Sequence, residues 1–265
     1  PEEIYYGDVK GYLIIITLFI PQKKVFVEHT LEEQFFLILK AFEAQEAFHA
    51  TTFEHIDSIT NNFPLFQGRQ YIESVKSCAS GIKKNGDNKE LTETIGKAVE
   101  IIESSKKLID QYSNYLTHTD FVPHNFRIHN GTLYMLDCAA VQFSNKYESW
   151  ARFLNYMLIH NPQLESLLSQ YILDNRNEEE YSCLRLMRIY KTVFLLEYYT
   201  RSLAKTSGDL HELTKIRINF WREVLDSIIN NMPLDSEILS NYIGNRDSLR
   251  SEEEKKRQKE FALSN

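Results

Sequence analysis

A change of hydrophobic period at residues 118–137 is the feature that most constrains how this chain can fold. The segment HTDFVPHNFRIHNGTLYMLD alternates or runs apolar on either side of Asn130-Gly131, a dipeptide that tolerates the positive φ values of a two-residue hairpin turn. Most of the sequence around it has apolar residues at helical spacing. We therefore predict that residues 118–125 form a loop that leads into a β-hairpin, with Asp137 at the end of its second strand.

The remainder of the 265-residue chain favours long helices. It contains only nine Gly and six Pro, the residues that most often interrupt regular elements. Thr30 and Glu33 form a capping-box pattern, which predicts a helix that continues toward His55. Helical spacing or cap patterns predict further helices at 91–116, 146–160, 162–174, 178–206 and 209–231, with Asn177/Glu180 and Asp209/Glu212 as caps. The polar stretch at 80–89 is predicted to be a mobile loop.

An apolar run near the start of the chain has the pattern of a strand. YLIIITLFIP at 12–21 is rich in β-branched residues and apolar on both faces, which is typical of a strand in the interior of a sheet. The preceding EEIYYGDVKG is its predicted hairpin partner. The apolar run Tyr12 to Ile20 has nine residues, whereas a helix needs about 20 to cross a bilayer, so no membrane partner is expected. The predicted fold class is α+β and predominantly helical.

Charge and cysteine content limit the kinds of partner. The formal net charge is -7 and no Lys/Arg stripe stands out, which argues against nucleic acid as the main partner and favours a cationic or neutral ligand. Cys78, Cys138 and Cys183 are odd in number and far apart, so they indicate neither a disulfide framework nor a zinc finger. A reducing, cytoplasmic location is the expectation.

Three oxygen-bearing side chains are predicted to meet at the hairpin. Asp120 and Asn125 lie five positions apart in the loop, and Asp137 follows twelve positions later, beyond the turn. Because a hairpin returns its far end to its start, we expect two carboxylates and an amide carbonyl in one pocket. Such hard oxygen donors suit magnesium. One carboxylate can stay off the metal and accept a proton, which is the arrangement that phosphoryl transfer needs.

Simpler interpretations of these residues stay open. Asp and Asn in a loop before a hairpin most often form turns or caps. His118, His124 and His129 are an alternative set of transition-metal ligands. No HExxH spacing accompanies them, however, and the alternation of a hairpin would point His129 away from the loop.

The pattern His118-x-Asp120-x-x-x-x-Asn125, then a hairpin, then Asp137, resembles the catalytic and metal-binding segments of the aminoglycoside phosphotransferase and choline kinase family. The resemblance implies that Asp120 is the catalytic base, that Asn125 and Asp137 bind magnesium, and that His118 is a structural brace for the loop. It implies a protein-kinase-like fold with ATP, or GTP, and Mg as cofactors. Thr119, His124 and Cys138 depart from the family pattern at positions beside these groups.

The same resemblance suggests how the chain is divided. Residues 1–21 are a remnant of the small lobe and the interlobe linker, whose backbone around Leu18 and Phe19 receives the adenine. Residues 22–245 are the helical large lobe, and 246–265 are a charged C-terminal helix or tail. The family's phosphate-covering glycine loop and strand lysine have no counterpart before Tyr12. Either a small lobe precedes this sequence, or the chain is a degenerate kinase.

The expected acceptor is a hydroxyl group of a small molecule. About eight residues separate Asp137 from the helix that begins near Lys146, too few for a segment that docks a peptide. The helices from 146 to 231 are predicted to form the pocket, with Glu148, Glu197 and Glu178–Glu180 as candidate contacts to a cationic group. The alternative function is a pseudokinase-like binding or scaffold protein without phosphoryl transfer.

Overall fold

Helices dominate the part of the chain that the structure, a computed structural model, describes, which is residues 3–52, 55–63, 65–85, 88–253 and 255. The content is 69% helix and 12% strand, so the predicted predominantly helical α+β class is confirmed. The helices are α1 (Leu31–Thr52), α2 (Ile56–Asn62), α3 (Gly68–Asn85), α4 (Lys89–Ser104), α5 (Lys106–Gln111), α6 (Tyr147–His160), α7 (Pro162–Asn175), α8 (Glu178–Leu203), α9 (Gly208–Ile229) and α10 (Ser236–Leu249). The strands are β1 (Glu3–Val9), β2 (Tyr12–Thr17), β3 (Tyr115–His118), β4 (Phe126–His129), β5 (Thr132–Met135) and β6 (Val141–Ser144).

Helix α8 lies at the centre of the packing. It contacts α3, α6 and α9, and one cluster of buried side chains extends from Phe26 to Tyr242. The predicted cap of α8 is confirmed, because Asn177 Oδ1 accepts a hydrogen bond from the Glu180 backbone at 2.8 Å. The predicted cap at Asp209 is wrong, since α9 already begins at Gly208.

Helix α1 begins at the predicted capping box. Glu33 N donates to Thr30 Oγ1 at 3.2 Å, and Thr30 N donates to the Glu33 carboxylate at 3.0 Å. Farther along, the ring of Phe42 stacks on Trp150 of α6 at 3.7 Å and on Phe121 of the 118–125 loop at 4.7 Å. This aromatic stack ties α1 to the loop that carries the candidate site.

Two predicted boundaries are wrong. The helix expected over 91–116 breaks at Ser105 and ends at Gln111, and Leu116 instead belongs to β3, where it pairs with Phe143 of β6. The expected loop at 80–89 is helical through Asn85, because α3 continues to that residue. Residues 86 and 87 lie outside the described part of the chain.

The N-terminal strands form the predicted hairpin but not the predicted interior strand. Strand β2 pairs antiparallel with β1 across a turn at Lys10 and Gly11, which have φ values of 56° and 81°. Among the described strands β2 has no second partner, and Tyr12 is 74% exposed. The β-branched run therefore sets the strand conformation, but no layer of the described chain covers it.

The hairpin that the Asn-Gly dipeptide predicts is present. Strands β4 and β5 pair antiparallel from Phe126 opposite Met135 to His129 opposite Thr132. Asn130 and Gly131 have φ values of 50° and 73°, as a type I′ turn requires. In the described part of the chain no helix is both long enough and apolar enough to span a bilayer. The end of the predicted charged tail, residues 256–265, lies outside the described residues.

We expect that Phe42→Ala lowers the free energy of unfolding by about 3–5 kcal/mol, because it removes a buried ring that contacts two others. Chemical denaturation followed by circular dichroism measures this change. Phe36→Ala on the same helix is the control, since Phe36 is 53% exposed and should change stability by less than about 1 kcal/mol. Equal losses in the two variants would contradict the assigned packing.

Candidate functional site

His118 joins the start of the site loop to the far end of the hairpin. It is the last residue of β3 and is buried. Its Nε2 donates hydrogen bonds to the backbone carbonyl oxygens of Leu136 at 3.1 Å and of Asp137 at 3.0 Å. These two contacts fix the backbone of Asp137 relative to the loop, which is the geometry that the predicted brace requires.

Asn125 connects Asp120 to the same hairpin end. Its Nδ2 donates to the Asp120 carbonyl oxygen at 2.9 Å and to Asp120 Oδ2 at 3.2 Å. Its own backbone carbonyl accepts from Leu136 N at 2.8 Å. The structure therefore brings together Asp120 and Asn125 directly, and it places Asp137 next to a residue that pairs with Asn125.

Asp137 has an unusual backbone conformation. Its φ is 57° and its side chain is exposed. Non-glycine residues rarely adopt this region, although Asp and Asn tolerate it best. Strained positions of this kind concentrate at functional sites, and this one lies at the point where the hairpin returns to the loop.

The carboxylate of Asp120 forms an ion pair with Arg152 of α6. Arg152 Nε lies 2.9 Å from Asp120 Oδ1. Burial would raise the pKa of Asp120, but the charge and hydrogen bond of Arg152, with the hydrogen bond from Asn125, outweigh it and hold the pKa below its usual value. Asp120 is therefore ionised at neutral pH, and both of its oxygens already accept hydrogen bonds.

A buried network attaches this loop to the helical core. Lys191 Nζ of α8 donates to the Thr119 carbonyl oxygen at 3.1 Å and forms an ion pair with Glu148. Tyr71 of α3 donates its hydroxyl to Glu148 at 2.5 Å and accepts from Asn145 N at 3.1 Å. Burial and the neighbouring Glu148 carboxylate raise the pKa of Tyr71 well above its usual value. Sequence reasoning missed this network, because its members lie far apart along the chain.

A cavity of about 500 Å³ opens beside Asp120. Its walls come from α6, α8, α9 and α10. They carry two kinds of side chain, cationic and aromatic. The cationic ones are Arg152, Lys191, Arg217, Arg246 and Arg250, and the aromatic ones include Tyr156, Phe194, Tyr198, Tyr199, Trp221 and Tyr242. Asp120 is the one acidic side chain among the described lining residues.

The carboxylates that we expected to meet a cationic substrate lie elsewhere. Glu148 is buried against the helical core, Glu197 pairs with Arg201 at 3.5 Å, and the last residue of Glu178–Glu180 pairs with Lys146 at 2.6 Å. None of them is among the residues that line the cavity. Glu148, Glu197 and Glu180 each pair with a cation of the protein instead, so a contact between these carboxylates and a cationic substrate stays a prediction.

The segment predicted to receive the adenine lies next to the hairpin. The side chains of Leu18 and Phe19 are 50% and 72% exposed. Beyond them Ile20 is buried, and Gln22 Oε1 accepts a hydrogen bond from Ile128 N of β4 at 2.8 Å. The segment is thus anchored beside the site, and the adenine contact stays a prediction.

Asn125 and Asp137 carry oxygen donors, the type of ligand that magnesium prefers. No three His, Cys, Asp or Glu side chains of the described residues cluster as a metal site, which removes support for the histidine alternative. Asn125 uses its nitrogen in both contacts with Asp120, so these bonds leave its carbonyl oxygen available, and Asp137 is exposed. Magnesium usually binds only a few protein oxygens and takes water or phosphate as its other ligands.

No known family model matches the chain, and no curated protein matches it. Any function must therefore be inferred from the geometry of the loop, the hairpin and the cavity.

We expect Arg152→Met to raise the pKa of Asp120. The substitution removes the positive charge and the hydrogen bond that stabilise the ionised carboxylate. Nuclear magnetic resonance of selectively labelled aspartate carboxyl carbons, followed against pH, measures the change, with Asp120→Asn used to assign the signal. Arg69→Met is the control, because Arg69 pairs with Glu73 on the surface of α3. An unchanged Asp120 pKa would contradict the assigned ion pair.

Proposed function

We propose that this protein is a magnesium- and ATP-dependent phosphotransferase with a kinase-like fold that acts on a hydroxyl group of a small molecule. The observation that carries the proposal is the hydrogen-bonded unit of His118, Asp120 and Asn125, which joins the loop to the hairpin end at Asp137. The unit lies at the edge of a cavity large enough for a metabolite. GTP is an alternative donor.

Asp120 would orient the acceptor and take its proton. The ionised carboxylate accepts a hydrogen bond from the acceptor hydroxyl, whose oxygen then forms the new P–O bond while the bond to the nucleotide's bridging oxygen breaks. The hydroxyl proton moves to Asp120, and the nucleoside diphosphate leaves. In the loose transition state of phosphoryl transfer, positioning and charge stabilisation matter more than strong base catalysis, so a lowered Asp120 pKa is compatible with this role.

Asn125 and Asp137 would hold the metal. The bound magnesium–nucleotide complex supplies the phosphoryl group and neutralises the charge on its phosphates. The side-chain oxygens of Asn125 and Asp137 suit that ion, and the two contacts from His118 to the hairpin end keep the Asp137 backbone in place. Orientation of the acceptor, metal binding and support of the loop therefore belong to different residues.

The proposal predicts different losses at two of these positions. Asp120→Asn should lower kcat by a factor of at least about 100, the usual size of a general-base contribution, with nucleotide binding retained. Asp137→Ala should abolish magnesium-dependent nucleotide binding. A coupled assay of nucleoside diphosphate formation measures the first, and calorimetry with ATP, with and without magnesium, measures the second.

Asp209→Asn is the matched control, because Asp209 is exposed in the first turn of α9. It should retain wild-type turnover and binding. Wild-type behaviour of both Asp120→Asn and Asp137→Ala would overturn the assigned roles, provided that circular dichroism shows all three variants to be folded.

One observation favours a second candidate function, a pseudokinase-like binding protein. Arg152 engages the oxygen of Asp120 that does not bind Asn125, so an acceptor hydroxyl would have to share that oxygen with a guanidinium. In that case the chain would bind a cavity ligand without any formation of nucleoside diphosphate. Formation of nucleoside diphosphate by the wild type or by Arg152→Met would exclude the binding protein, whereas none from either protein would support it.

A further inference from the structure

The cations of the cavity wall come from distant parts of the sequence. Arg152 lies on α6, Lys191 on α8, Arg217 on α9 and Arg246 on α10, and Arg250 follows α10 directly. Four helices therefore each contribute at least one positive side chain to one cavity. The whole chain carries a net charge of -7, so this concentration of positive charge is local.

Several of these cations have lost much of their contact with water. The side chains of Arg246 and Arg250 are each 10% exposed, and that of Lys191 is 17% exposed. Asp247 lies 2.8 Å from Arg246 and 3.8 Å from Arg250, so one carboxylate serves two guanidinium groups. Three carboxylates, those of Asp120, Glu148 and Asp247, pair with four of the five cations. Positive charge around the cavity therefore exceeds negative charge, and a bound anion would reduce the difference.

His160 also lines the cavity, and its pKa is lowered. Partial desolvation, followed by the positive charges of Arg246 and Arg250, lowers its pKa to about 4. It is therefore neutral at pH 7. Burial is the larger cause, and the contribution of the two arginines has the sign expected from the positive charge of the lining.

The wall also offers flat aromatic surfaces. Phe194 and Tyr198 are 37% and 53% exposed, and the guanidinium of Arg217 lies over the Tyr199 ring at 5.5 Å. Guanidinium groups bind carboxylate and phosphate through paired hydrogen bonds. A cavity of about 500 Å³ is within the usual range for small-molecule sites.

We propose that the cavity binds an anionic small molecule, with a carboxylate or phosphate group held by the arginines and a ring held against the aromatic wall, and that this molecule is the phosphoryl acceptor. The identification as acceptor rests on the proposed function, whereas the binding of an anion does not. The proposed anionic ligand differs from the cationic or neutral ligand that we expected from the net charge of the chain.

Two series of probes that differ mainly in charge test the proposal. The first is tyramine, 2-(4-hydroxyphenyl)ethanol and 4-hydroxyphenylacetate; the second is glucosamine, glucose and glucose 6-phosphate. Thermal shift and calorimetry on the full chain without nucleotide, at constant ionic strength in chloride, measure binding. The anion of at least one series should bind at least ten times more tightly than its neutral and cationic counterparts.

Variants of Arg217 distinguish specific binding of the anion in the cavity from nonspecific attraction of an anion to surface cations. Arg217→Gln should weaken binding of the anion at least tenfold, while Arg217→Lys, which keeps the charge, should retain part of the affinity. Lys215→Gln is the matched control, because Lys215 is an exposed cation on the same helix that pairs with Glu212, and it should bind like the wild type. Unchanged anion binding in Arg217→Gln would overturn the proposal.

The remaining outcomes distinguish this inference from the proposed function. Tighter binding of the neutral or cationic probes, or no binding of either anion, overturns the anionic site. If neutral or cationic probes are phosphorylated by magnesium-ATP and anions are not, the phosphotransferase proposal stands and the anionic acceptor is wrong. If the anions bind but neither these probes nor a wider panel of anionic hydroxyl compounds yields nucleoside diphosphate, the anion site stands and the transfer reaction is wrong.

Discussion

The geometry of the site depends on the interactions of the buried Glu148 carboxylate. It accepts a hydrogen bond from the Tyr71 hydroxyl and forms an ion pair with Lys191. Lys191 in turn donates a hydrogen bond to the Thr119 carbonyl oxygen. Three helices and the site loop therefore meet at one charged group. Removing one partner of such a pair leaves the other charge buried without compensation, which typically costs about 3–5 kcal/mol. Thr119 directly precedes Asp120, so this contact positions Asp120 together with the hydrogen bonds from Asn125 and Arg152.

The same helices that hold the loop also build the cavity, so support and ligand binding are not separate parts of the molecule. Lys191 contacts Thr119 and lines the cavity. Arg152 pairs with Asp120 and lines the cavity as well. A shift of α6 or α8 would therefore move the charged side chains near Asp120 and change the shape of the cavity at the same time. Rigid helices are suitable carriers for such groups, because binding and chemistry depend on placements within a fraction of an ångström.

Local patterns could be predicted from the sequence, and contacts between distant segments could not. The capping box of Thr30 and Glu33 and the hairpin around Asn130-Gly131 each depend on residues close together in the sequence, and both are present. The β3–β6 pair joins four-residue strands across the hairpin, so it has too little sequence pattern to detect. The cationic lining of the cavity could not be predicted from the net charge, because net charge sums over a whole surface, whereas the field in a pocket depends on the few groups that surround it.

The ion pair between Arg152 and Asp120 links the two proposals physically. An anionic ligand in the cavity would compete with Asp120 for the Arg152 guanidinium, which lines the same space. As that guanidinium turned toward the ligand, Asp120 Oδ1 would become available to a hydroxyl group, and its pKa would rise, because the largest contribution that lowers it would weaken. A neutral ligand would leave the pair intact, with Asp120 Oδ1 still engaged by Arg152. The charge of the acceptor would then decide both whether it binds and whether the base beside it is free to act.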